Sequence, residues 1–187
     1  MNGINLMNNP LYYSGIGSRT TPAEILTLIN QISTKLSQQN YICRTGYAEG
    51  ADKAFYSGSS PNVIVYQPEN ITLNNGGIFR NAPMMENWSQ ALEIGKQFHP
   101  AWSHLGKYAQ QLIARNGYQV LGDDLSSPCE FIICWTPDGA TKRTTKYTGG
   151  TGQAIRIANH YNIPVYNLAD ASCRNTIDLF LNDNITF

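Results

Sequence analysis

Residues 11–45 read LYYSGIGSRTTPAEILTLINQISTKLSQQNYICRT, and this stretch decides the fold class. Leu11 to Gly15 is a short strand. From Thr21 to Gln39 the apolar positions Ile25, Leu28, Ile29, Ile32 and Leu36 recur at the three-four spacing of one helix face. Thr21 followed by Glu24 has the form of a capping box, and Pro22 suits the first helical position. Tyr41 to Arg44 is a second short strand. A strand, a helix and a strand in such quick succession open an α/β pattern.

The alternation continues outward from there. The small-residue turn from Thr45 to Gly50 leads into a short helix through Asp52 to Tyr56, and the β-branched run Val63 to Tyr66 is a third strand. Phe131 to Trp135 is almost wholly apolar, the mark of a strand buried on both faces. Helical spacing returns in Trp102, Leu105, Tyr108, Ala109, Leu112 and Ile113, in a helix opening near Pro100 and ending before Gly117. It returns again in Ala154, Ile155, Ile157, Ala158 and Tyr161. Ile163 to Leu168 gives a last strand and Ile177 to Leu181 a final helix. The period fails between Gln67 and Phe98, around Asn74, Asn75, Gly76 and Gly77, so 67–98 is expected to be an irregular insertion with at most one short helix near Glu86 to Lys96. The expected architecture is a single α/β domain over 1–187: Rossmann-like, doubly wound, with a mainly parallel sheet flanked by helices.

Composition narrows the function classes. The 187 residues carry 13 Lys+Arg against 13 Asp+Glu, so there is no global field to draw in a polyanion. Charged residues are only 14 %, while 42 % hydrophobic residues argue for a sizeable core. No apolar run is long enough to span a membrane, and Met1 to Asn9 lacks the features of a signal peptide, so the expected compartment is the cytoplasm and no membrane partner is expected. Cys43, Cys129, Cys134 and Cys173 form no C-x-x-C pair and read as buried thiols. His99, His104 and His160 show no metal spacing; neither a metal nor a cofactor is expected.

In a doubly wound sheet ligands bind beyond the carboxyl ends of the strands, where three glycine-bearing loops of this chain fall. They are Gly15-Ile16-Gly17-Ser18-Arg19, Thr45-Gly46-Tyr47-Ala48-Glu49-Gly50-Ala51-Asp52, and Thr148-Gly149-Gly150-Thr151-Gly152-Gln153. Glycine lets a ligand approach backbone N–H groups, and the helix that follows each loop presents free donors and a partial positive charge. This chemistry suits a phosphate. Arg19 adds a forked cation, and Ser18 and Thr151 add hydroxyls. Thr136, at the end of the Phe131 strand, and Tyr47, as an aromatic contact, complete the expected ligand set.

These loops together resemble the SLOG superfamily, which includes the DNA-processing protein A proteins and the LOG-type phosphoribohydrolases. The similarity is closest to the DNA-processing branch, and Cys134-Trp135-Thr136-Pro137-Asp138-Gly139 is similar to short stand-alone members found in bacteriophages. The resemblance runs from about Tyr13 to Leu168 and implies the Rossmann-like fold and a nucleotide-type ligand. LOG enzymes cleave the N-glycosidic bond of nucleoside monophosphates with the Glu of Gly-Gly-x-Gly-Thr-x-x-Glu. Here the matching stretch is Gly149-Gly150-Thr151-Gly152-Gln153-Ala154-Ile155-Arg156, so an arginine stands where the acid belongs. Arginine is no base near neutral pH, and no catalytic residue is assigned.

The leading expectation is therefore a binder of a small nucleotide or nucleotide-derived signal, of ADP-ribose type or cyclic, that sequesters or senses it, as a phage counter-defence protein does. Arg156 on the first turns of its helix is expected to add to anion binding. A second reading is an N-glycosidic hydrolase in which Glu49 or Asp52 replaces the missing acid. A third, single-stranded DNA binding, follows from the DNA-processing resemblance; only Lys142, Arg143 and Lys146 form a basic loop, and it is disfavoured. A homo-oligomer is expected, paired through the face around Trp102 and Tyr108 or through 67–98.

Overall fold

The computed structural model describes residues 10–187, so the reading of Met1 to Asn9 lies outside the described residues. The strands β1 (Leu11–Gly17), β2 (Tyr41–Thr45), β3 (Val63–Gln67), β4 (Ile78–Asn81), β5 (Phe131–Trp135) and β6 (Val165–Asn167) form one sheet in the order β4-β3-β2-β1-β5-β6. Each neighbouring pair is parallel. The helices are α1 (Ala23–Gln38), α2 (Ala51–Ser59), α3 (Trp88–Phe98), α4 (Lys107–Ala114), α5 (Asn116–Leu121), α6 (Thr151–His160) and α7 (Ala171–Leu181). The fold is the expected Rossmann-like α/β sheet with helices on both faces.

Side chains alternate across the strands and so feed two cores. On one face Tyr13, Cys43, Val63, Val65 and Ile133 meet Ile29, Ile32 and Leu36 of α1, Phe55 of α2, and Ile177 and Phe180 of α7. On the other, Ile16, Tyr66, Ile132 and Cys134 meet Ala91 and Ile94 of α3, Ala114, Tyr118 and Leu121 of α4 and α5, and Ile155 of α6. The chain builds outward from β1 to β4, then returns to lay β5 on the opposite side of β1. That reversal opens a crevice at the carboxyl ends of β1 and β5.

Several expectations change. β1 runs on to Gly17, paired with Trp135, so Gly15 and Gly17 are strand residues. Thr21 caps nothing: α1 begins at Ala23 with extended Pro22 as its cap, and the Thr21 hydroxyl donates to Ser18 O at 2.7 Å. The stretch 67–98 is ordered into an edge strand and a helix. β4 pairs Ile64↔Ile78 through Gln67↔Asn81, and the large aromatics of α3 are drawn inward, Trp88 stacking on Tyr118 with centroids 6.4 Å apart. The single helix expected from Pro100 is a 3₁₀ turn, Trp102–His104, followed by α4 and α5. Gly117 lies inside α5, where a Cβ would stand at ordinary contact distance from Leu125 and Ile94. The last helix starts earlier than its apolar pattern, at Ala171, because Asp170 caps it by accepting from Cys173 N–H at 3.0 Å.

Cys43, Cys129 and Cys134 are buried free thiols. Burial pushes Cys43 and Cys129 up to about 12, which keeps them protonated and inert. No helix among the described residues is long and apolar enough to cross a membrane.

Candidate functional site

A cleft of about 350 Å³ lies at the carboxyl ends of β1 and β5. Ile16, Gly17, Ser18 and Arg19 line it from the end of β1, and Ala48 and Asp52 from the turn into α2. Leu112, Ile113, Arg115 and Asn116 come from the α4–α5 junction, and Tyr147 to Thr151 from the approach to α6. The three glycine loops meet here, but they do different work.

Three amides of the first two loops are engaged inside the protein. Gly17 N–H donates to Asp52 Oδ1 at 3.2 Å, Ser18 N–H to Trp135 O at 3.1 Å, and Ala51 N–H to Ser18 O at 3.2 Å. In the third loop Thr148 N–H donates to Thr145 O, and Gly152 and Gln153 N–H to Gly149 O and Gly150 O. The N–H groups of Gly149, Gly150 and Thr151 meet no acceptor among the described residues, and no side chain caps α6. The third loop thus presents a consecutive run of three free amides, on a floor built by the other two.

That loop is held in shape. Asp138 Oδ2 accepts from the hydroxyls of Thr145 and Thr148, both at 2.6 Å, while Thr148 Oγ1 accepts Thr145 N–H at 2.8 Å. Burial raises the Asp138 carboxyl, but the hydroxyls of Thr145, Thr148 and Thr136 together outweigh it and hold it below the usual range. Gly149 has φ +62°, a region an L side chain rarely adopts. Asn116 Nδ2 donates to Gly150 O at 3.1 Å, which fixes the peptide plane whose N–H belongs to Thr151.

The floor holds paired charge. Asp52 and Arg115 form a buried pair, Nη2 to Oδ2 at 3.4 Å, and Arg115 Nη1 donates to Tyr66 O at 2.7 Å. Burial pushes Asp52 up and Arg115 down, against their mutual attraction. Among the described residues Arg115 Nε has no partner. A second buried guanidinium, Arg44, lies away from the cleft wall: it donates to Ser127 O at 2.7 Å and lies 4.0 Å from the Tyr12 ring centre. Among the described residues the buried charges are thus two cations, Arg44 and Arg115, against Asp52 alone. Arg19 stands exposed at the cleft wall without an ion pair among the described residues.

The other expected site residues lie off the cleft wall. A Cβ on Gly15 meets the Phe55 ring at 2.4 Å, so this glycine makes room for α2. Thr45 Oγ1 donates to Gly15 O at 2.6 Å. A Cβ on Gly46 meets Arg115 Nη1 at 2.0 Å and Asp52 Oδ2 at 2.3 Å, so Gly46 houses the ion pair. Tyr47 packs edge-on against Tyr56, Glu49 pairs with Lys53, and Gly50, at φ +85°, lets Ser18 O approach. Thr136 Oγ1 accepts from Asn167 Nδ2 at 2.7 Å. Gly152 lies tight against Thr148, and Gln153 Nε2 donates to Gly95 O at 3.2 Å. Arg156 clamps α3 instead of facing an anion: its Nε donates to Phe98 O at 2.5 Å, Nη1 to Thr144 Oγ1 at 2.8 Å and Nη2 to Gln153 Oε1 at 3.2 Å. Lys142, Arg143 and Lys146 are exposed on the preceding loop, Trp102 packs over Gly95, and Tyr108 donates to Glu69 at 2.6 Å.

Sequence reasoning missed Ile16, Leu112, Ile113, Arg115, Asn116, Tyr147 and Thr148 as wall residues. Thr148 and Tyr147 adjoin the glycine run and were within reach of it. Arg115 pairs with a residue 63 positions away, and nothing local marks it.

No protein-family model matches the chain, and no curated protein matches it. Two solved structures are similar. One is the Chlamydomonas rheinhardtii Moco carrier protein, 13 % identical, covering 94 % of this chain and 85 % of that one, with a TM-score of 0.49. The other is DNA processing protein A from Helicobacter pylori, described for its single-stranded DNA binding mode: 12 % identical, covering 93 % and 81 %, with a TM-score of 0.41.

Proposed function

We propose that the cleft binds a small nucleotide or nucleotide-derived signal through one phosphoryl group, and that the protein captures or senses this molecule without turning it over. The observation that carries the reading is the run of unengaged N–H groups at Gly149, Gly150 and Thr151 on the open end of α6, above the buried Arg115. Arg19 supplies a second, mobile cation at the wall.

One set of free amides suits one phosphoryl group. With Gly17 and Ser18 N–H already engaged and the Asp52 carboxylate in the floor, a second phosphate meets fewer fixed donors than the first. The volume also falls at the low end of small-molecule sites, which run from about 300 to 1,000 Å³. Both points favour a cyclic nucleotide or a monophosphate over an ADP-ribose-type ligand. Capture over catalysis follows from the acids. Glu49 is tied to Lys53 outside the cleft, and both Asp52 oxygens are occupied, by Gly17 N–H and Arg115. Withdrawal of a host nucleotide signal in the cytoplasm is the role that fits such capture in a phage-type protein.

Calorimetry with 5′-mononucleotides, cyclic mononucleotides and ADP-ribose tests this. A single-phosphate ligand binding below millimolar supports it; no binding in the panel overturns it. Ligand recovered intact after incubation and heat denaturation supports capture, whereas release of free base establishes the hydrolase.

A further inference from the structure

We propose that Tyr147 is the platform on which the ligand's planar base stacks, so that the cleft discriminates base-bearing phosphates from sugar phosphates. This rests on the phosphoryl-binding reading above and deepens it by naming the residue that selects the ligand's other end.

Tyr147 is 64 % exposed, yet it lines the cleft two residues before the free amides begin. Among the described residues no aromatic ring packs on it and its hydroxyl has no hydrogen-bond partner; its one recorded ring contact is Lys146 Nζ, 5.0 Å from the centroid. The other exposed tyrosines are engaged: Tyr108 donates to Glu69, and Tyr161 packs against His160. The Tyr147 ring is mobile only about its own side-chain bonds, because its N–H donates to Thr145 Oγ1 at 3.1 Å within the turn that Asp138 holds. A ring on a fixed backbone stacks with little loss of freedom.

The position also fits. Two residues of chain span at most about 7 Å, so the ring and the free amides of Gly149 to Thr151 border the same part of the cleft. Leu112 and Ile113 give the same cleft an apolar flank for a base. Lys146 over one side of the ring leaves the other side for stacking and strengthens a cation–π–base arrangement.

The test compares adenosine 5′-monophosphate with ribose 5-phosphate by calorimetry on the full chain and on Tyr147→Ala and Tyr147→Phe. Stacking on an aromatic residue corresponds to roughly tenfold in affinity or more. The monophosphate is expected to bind at least about tenfold tighter than ribose 5-phosphate. That preference collapses in Tyr147→Ala and persists in Tyr147→Phe. Equal binding of the two probes to the unaltered protein, or a preference that survives Tyr147→Ala, overturns the stacking role while leaving the phosphoryl site standing. Failure of both probes to bind overturns this inference, and failure of the whole nucleotide panel overturns the underlying reading.

Discussion

Gly46 shows how a residue that reads as a ligand contact in the sequence becomes a packing requirement in the fold. A methyl group there overlaps the terminal atoms of Asp52 and Arg115, so Gly46→Ala makes the ends of the buried pair shift. Overpacking of this kind costs about 1–3 kcal/mol, and urea unfolding should show a loss of that size; a loss near zero contradicts the account. The carboxylates make a second prediction at this scale. Asp124 accepts from Ser126 and Ser127 N–H, which hold it down to about 2, against about 3.9 in an unfolded chain. Its contribution is therefore complete above pH ~4 and is lost as the pH falls toward about 2. Asp138, also held down, acts in the same direction. The urea midpoint should drop on going from pH 5 to pH 3, and by less in Asp124→Asn; an unchanged drop in the variant counts against it. The glycine positions of the site were legible because a turn or close approach restricts the residue type. Arg115 was not, because its role exists only after α4 and α5 have brought it over the strand ends.

At the scale of elements, Arg156 fastens α3 to α6. Its guanidinium takes the carbonyl of Phe98, at the end of α3, together with Thr144 and Gln153. Arg156→Ala should destabilise by about 1.5–3 kcal/mol and speed hydrogen exchange selectively in 94–99, and Arg156→Lys should rescue little because the fork of donors is lost. Uniform exchange across the molecule would contradict this. The strands and helices with strong periodicity, β1 to β3, β5, α1 and α6, were readable because each buries a regular apolar face. β4 was not: Ile78-Phe79-Arg80-Asn81 lies at the sheet edge with no residue fully buried, and its stability comes from pairing with β3 and from Arg80 on Asp123 at 2.9 Å. α3 was only partly readable, since its start is set by Trp88 stacking on Tyr118, a contact between distant segments.

For the whole molecule, the order β4-β3-β2-β1-β5-β6 places a crevice between β1 and β5, and the return of the chain through α3 to α5 supplies the wall that carries Arg115. A ligand that holds the α6 approach against that wall stabilises the folded state. At a hundredfold excess over its dissociation constant the gain is about 2.7 kcal/mol, which for a chain of this size raises the Tm by roughly 5–10 °C. Absence of any shift with a ligand shown to bind contradicts the coupling of cleft and fold. The central claim concerns particular backbone groups, so the most direct measurement follows them one by one. In a 15N–1H correlation spectrum titrated with adenosine 5′-monophosphate, the amides of Gly149, Gly150 and Thr151 should move together and downfield, with Gly17 and Ser18 moving less. Saturating binding that leaves those three amides in place would show that the phosphoryl group is held elsewhere.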